Sequence, residues 1–60
     1  MGEKIRQARE RAGMSQRELA LAIGVDPSAI SLWETGRNGP TISNLYKLAS
    51  ILGVEPGSLL

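Results

Sequence analysis

The sequence predicts an all-α domain, a compact bundle of four to five short helices. Three observations point there. An apolar stripe at helical spacing followed by a glycine recurs four times, in three cases behind a capping residue. No stretch alternates apolar and polar residues as a strand does, and no linker or low-complexity tract interrupts the chain. At 60 residues there is room for a single domain.

In the first segment Ile5, Ala8 and Ala12 lie at i, i+3 and i+7 on one face, with Lys4, Arg6, Glu10 and Arg11 around the rest and Gly13 as the stop. The second opens with Ser15-Gln16-Arg17-Glu18, a capping box: the Ser15 hydroxyl accepts from the third helical amide while the Glu18 carboxylate reaches back to the cap. Leu19, Ala20 and Ile23 are its stripe and Gly24 its end. Asp26-Pro27 starts the third, with the carboxylate as cap and the proline at the first helical position, where a missing N–H costs nothing. Ile30 and Trp33 point inward and Gly36 closes it. Gly36-Arg37-Asn38-Gly39-Pro40 is a turn. Thr41 caps the fourth helix, whose Leu45, Leu48, Ala49 and Leu52 form the clearest amphipathic pattern, ended by Gly53. Glu55-Pro56 begins a fifth helix close to the last residue, with Leu59 and Leu60 expected to be exposed.

Composition narrows the function classes. Cysteine and histidine are both absent, which removes disulfides, thiolate or imidazole metal sites and the commonest nucleophile and base pairings. Most carboxylates are accounted for as caps or ion pairs, so an enzyme is not expected, nor a cofactor or metal. No apolar run approaches the ~20 residues of a membrane span, and the start lacks a signal peptide's apolar block, so a cytoplasmic protein without a membrane partner is expected. Arg6 stands where a myristoylation motif beginning Met1-Gly2 wants Ser or Thr. Seven Lys or Arg against six Asp or Glu leave a net charge of +1, so the distribution of charge, rather than its total, must indicate any nucleic-acid partner.

The second and third segments meet at Gly24-Val25-Asp26. Small Ala20 permits close approach, Gly24 can adopt the positive φ of a sharp corner, and Ile23, Val25, Ile30 and Trp33 fill the angle. That describes a helix-turn-helix, although an ordinary helical hairpin carries the same marks.

The run RAGMSQRELALAIGVDPSAISLWETGRNGPTISNLYKLASILGV resembles the Cro and phage-repressor type of helix-turn-helix, the XRE family. The landmarks are Ser15-Gln16 ahead of Glu18-Leu19-Ala20, then Gly24-Val25, then Ile30-Ser31 with Trp33-Glu34 and Gly36. Pro40 then leads to Leu45, Leu48-Ala49 and Leu52-Gly53-Val54. The resemblance covers the chain from about Ile5 onward. It implies a lambda-repressor-like bundle that binds double-stranded DNA as the domain of a transcriptional regulator, with the third helix (about 27–35) in the major groove and helix N-termini on phosphates.

Gln16 matches the family position that holds a phosphate, against the alternative of a solvated first-turn residue. Arg17, Arg37, Asn38 and Thr41 are the further phosphate candidates, each otherwise a surface residue. Base contact falls to Pro27, Ser28, Ser31 and Leu32. Here the chain departs from relatives that carry Arg, Gln or Asn, the side chains suited to bidentate base contacts. Leu32 can touch thymine methyls and the serines can bond to several bases, so the departure bears on specificity, with Arg37, the loop or DNA shape left to contribute. Arg9 and Glu34 match a buried ion pair between the first and third helices of relatives; removing one partner of such a pair costs ~3–5 kcal/mol. Trp33 is expected to pack against the first helix and the Gly36 turn rather than stack on a base, and Tyr46 to pack half-exposed beside the fourth stripe.

A protein-interaction module of the same fold, antitoxin-like or adaptor-like, stays open because of the low net charge and the bland Pro27-Ser28-Leu32 face. Relatives commonly bind two-fold operators as dimers, so a homodimer is a further expectation. The chain is expected to be either the DNA-binding piece of a longer regulator or a minimal domain.

Overall fold

The computed structural model describes residues 1–60 and contains four α-helices and one 3₁₀ turn: α1 (Gly2–Arg11), α2 (Gln16–Ile23), α3 (Pro27–Glu34), α4 (Ile42–Leu52) and the turn Pro56–Leu59. There are no strands. The helix starts follow local chemistry. The capping box at α2 is complete, with Ser15 Oγ accepting from Glu18 N (3.0 Å) and Glu18 Oε1 accepting from Ser15 N (2.8 Å). Asp26 Oδ1 accepts from Ser28 N at α3 (2.9 Å), and Thr41 Oγ1 from Asn44 N at α4 (3.2 Å).

The α2–α3 corner turns at Gly24, which stands at φ +90°, a region costly for any side chain with a Cβ. Ala20 O takes the amides of both Gly24 (2.8 Å) and Val25 (3.0 Å), so the carbonyl that the ending helix orphans is satisfied within the corner. α2 and α3 pack on each other, α1 packs on α3, and α4 packs on α2. The terminal 3₁₀ turn sits against α1 and α4.

One core joins all five elements: Ile5 and Ala8 of α1, Leu19, Ala20 and Ile23 of α2, Ile30 and Trp33 of α3, Leu48, Ala49 and Leu52 of α4, and Leu59. Four details differ from the sequence reading. Ala12 is exposed, because α1 stops at Arg11 and Ala12 is already the cap residue leading into the Gly13 turn. Leu45 is only half-buried. The last segment is a 3₁₀ turn rather than the start of an α-helix. Of the two terminal leucines only Leu60 is exposed, at 58%; Leu59 is 1% exposed because the turn folds it back under α1 and α4. The last residues therefore complete the core.

Gly2 adds a feature that the stripes do not show. A Cβ on this residue would lie 2.5 Å from Glu34 O and 2.6 Å from Trp33 O, so the first turn of α1 rests directly on the last turn of α3. Nearby, Met1 Sδ lies 3.6 Å from where a Cβ on Gly39 would stand.

Candidate nucleic-acid interface

α3 divides into two faces. Ile30 and Trp33 are buried, whereas Pro27, Ser28, Ser31 and Leu32 are exposed, Leu32 to 38%. Trp33 belongs to the core, which removes it from contact with a docked base. Tyr46 is exposed.

The N-termini of α2, α3 and α4 differ in what they offer an anion. In the first three positions of α3 no amide is free: Pro27 has none, Ser28 N–H goes to the Asp26 carboxylate, and Ala29 N–H goes to Asp26 O (2.9 Å). The Asp26 carboxyl is held below the usual carboxylate range by Ser28, first through its backbone amide and then through its side chain. That end therefore carries a full negative charge at neutral pH and repels phosphate. At α2 the capping box uses the amides of Ser15 and Glu18 and sets the Glu18 carboxylate beside the first turn, while Gln16 N–H and Arg17 N–H are left without partners. At α4 the Thr41 hydroxyl takes only Asn44 N–H, leaving Ile42 N–H and Ser43 N–H free; no acidic residue stands in that first turn. Free amides at the positive end of a helix dipole suit an anion. The Thr41 oxygen accepts a bond, so its own O–H also remains to be donated.

Cations complete the picture. Arg6 is committed to Glu3 and Glu10 on its own helix, and Arg9 to Glu34. Lys4, Arg11, Arg17, Arg37 and Lys47 form no ion pair. Arg37 and Asn38 are exposed and their side chains make no hydrogen bond; their backbone amides close the end of α3 by donating to Leu32 O, at 3.0 and 3.5 Å. The turn is thereby fixed while both side chains project into solvent.

Behind the face lies a polar network. Arg9 Nε donates to Glu34 Oε2 (2.6 Å), Arg9 Nη2 to Glu34 Oε1 (3.1 Å) and Arg9 Nη1 to Met14 O (2.9 Å). Both side chains are largely withdrawn from water, Glu34 to 3% exposure. The hydrogen bonds that Arg9 donates to Glu34 are the first cause of its raised pKa, so the guanidinium is charged at every working pH. Gln16 joins this network by donating from Nε2 to Glu34 Oε1 (3.0 Å). Sequence reasoning weighed Gln16 only as a phosphate contact or a solvated residue, and no local periodicity relates it to a carboxylate 18 positions away. The Gly2 contact was likewise missed, because Gly2 is the first residue of α1 and no local spacing relates it to the carbonyls of Trp33 and Glu34. No group of three or more Asp or Glu side chains converges as metal ligands would.

Known proteins share this fold. A family model described as helix-turn-helix matches residues 5–59. The chain is 37% identical over 60 residues to the HTH-type transcriptional regulator DicA of Escherichia coli, covering all of this chain and 44% of DicA. It is 38% identical over 55 residues to Multiprotein-bridging factor 1 of Candida albicans, covering 92% of this chain and 36% of that protein. The chain thus spans less than half the length of either curated relative. Among solved structures, SinR, described as the master regulator for biofilm formation and crystallised in complex with DNA, superposes with a TM-score of 0.91 at 36% identity, with full coverage of both chains.

Proposed function

This chain belongs to the XRE-type helix-turn-helix family, which its match over residues 5–59 shows, and from that premise we propose that it is the DNA-binding unit of a cytoplasmic transcriptional regulator. α3 enters the major groove with Pro27, Ser28, Ser31 and Leu32 toward the bases. The backbone is held by Gln16 and Arg17 at the start of α2, by Arg37 and Asn38 in the turn after α3, and by Thr41 at the start of α4. The observation that carries this reading is the alternation of helix ends. Free amides stand at α2 and α4, while the end of α3 between them in sequence is closed by Asp26 and Pro27. Phosphates are thus directed to the two flanking helices, and α3 is left for the groove.

A single copy with few free cations binds DNA weakly, near the non-specific range of ~10⁻⁴–10⁻⁶ M at physiological salt. Two copies on half-sites about one helical turn apart would supply the missing affinity. The test is a titration of a mixed-sequence duplex followed by backbone amide shifts at low and moderate salt. Shifts at Gln16, Arg17, Ser28, Leu32 and Thr41 that weaken as salt rises are the expected outcome. An unperturbed spectrum at low salt would overturn the reading.

A second reading, that the same face binds protein, is favoured by one observation: α3 offers an exposed Leu32 and no cation or amide side chain. Its signature is binding that scarcely responds to salt.

A further inference from the structure

Gln16 is the one candidate phosphate contact whose side chain is tied to a distant helix in the free protein; the Thr41 hydroxyl is engaged only within its own cap. Its partner, Glu34, is buried and accepts three N–H bonds, two from Arg9 and one from Gln16. A carboxylate can only accept, so it dictates that the Gln16 amide turns its NH₂ inward rather than its oxygen. One of the two N–H groups is then used by Glu34. The other is left at the start of α2, where the backbone amides of Gln16 and Arg17 are also free. Arg9 reinforces the arrangement from behind, since its third donor holds Met14 O, immediately before the α2 cap.

We propose that Glu34 is a positioning residue for phosphate: by fixing the orientation of the Gln16 amide before DNA arrives, it presents the remaining Gln16 N–H to the backbone as a preset donor. The inference rests on the DNA-binding reading above. Its physical basis is preorganisation, because a long flexible side chain that is already ordered loses little freedom on binding. It also ties two contacts together, since Glu34 is the last residue of α3 and Gln16 the first of α2. The α2 phosphate contact and the placement of α3 thus share one carboxylate.

The test begins with the side-chain NH₂ signals of Gln16 in the free full chain. They should be as ordered as the surrounding backbone; averaged, mobile signals would overturn the proposal without any variant. The second arm measures affinity for a mixed-sequence 20-base-pair duplex at low salt in Gln16→Ala, Glu34→Gln and the double variant, at a temperature where backbone amide spectra show each to be folded. Glu34→Gln, which exchanges one acceptor oxygen for a donor, should release the Gln16 amide and weaken binding about two- to tenfold, the range for leaving one such side chain unordered. In the Gln16→Ala background it should add nothing. An undiminished effect there would mean that Glu34 acts by holding α3, and the proposal fails. Arg9→Lys serves as a control for the ion pair: it should lower stability and leave the Gln16 signals ordered. Should Gln16→Ala bind as tightly as the unaltered chain while Arg17→Ala binds more weakly, the proposal falls and the DNA reading stands. If the unaltered chain ignores the duplex at low salt, the DNA reading itself falls.

Discussion

Arg9 spends three of its donors on two acceptors, the Glu34 carboxylate and Met14 O, so neither end of the ion pair is free to exchange with solvent. Replacing Arg9 by Met leaves the Glu34 charge buried and unpaired, and urea unfolding should show a loss of about 3–5 kcal/mol. Asp26 behaves differently because it is exposed. Its carboxyl pKa is lowered in the folded state, first by the Ser28 amide and then by the Ser28 side chain. Its stabilisation is therefore complete above the ordinary Asp value of about 3.9 and is lost as pH falls through the lower folded value. Asp26→Asn keeps a cap that does not titrate, so the acid limb of a stability-against-pH curve should become shallower in that variant. The Arg37 side chain has no partner in the fold, and its truncation to alanine should leave stability unchanged. Measured against duplexes of different sequence, Arg37→Ala should weaken all of them alike and reduce the salt slope by about one. The side chains that hold the fold and those offered to phosphate are thus separable in the first instance by whether salt or urea reveals their loss.

At the scale of elements, helix starts were legible in the sequence because a cap is a local event: Ser15, Asp26 and Thr41 each bond to an amide two or three positions away. The inward faces of α2 and α3 were legible for the same reason, since Leu19, Ala20, Ile23, Ile30 and Trp33 follow helical spacing. The contacts that sequence reasoning missed join distant parts of the chain. Spacing cannot say that Gln16 meets Glu34, that Gly2 meets the carbonyls of Trp33 and Glu34, or that Leu59 returns to the core. Two glycines make the difference measurable. Gly2→Ala would gain helix propensity in an isolated α1, yet the backbone of α3 stands in the way; thermal unfolding should show a net loss of about 1–3 kcal/mol. Gly57→Ala meets nothing within 4 Å and should be neutral or gain about 0.4–1 kcal/mol. The terminal turn is tested in the same way. Leu59→Ala should cost about 2–5 kcal/mol, and Leu60→Ala less than about 0.5 kcal/mol.

For the molecule as a whole, a 60-residue chain without disulfides has one core to rely on, and every element contributes to it. Such a small domain buries only ~60% of the surface of its unfolded chain, so a single loss of a few kcal/mol is a large share of its stability. That sets a condition on every binding experiment, because a variant at Gly2, Arg9 or Leu59 must be shown to be folded before any loss of affinity is assigned to contact. Salt is the other whole-molecule lever. With a net charge of +1 the long-range field is slight, so affinity should fall with ionic strength according to the phosphates actually met. The division of α3 into a buried and an exposed face also bears on how such a domain changes over generations. Ile30 and Trp33 anchor the helix, while positions 28, 31 and 32 lie outside the core. Exchanges at those three positions should alter stability by no more than about 0.5 kcal/mol each. After a gene duplication, one copy can therefore drift toward a new address on the genome through three codons, with its scaffold inherited intact.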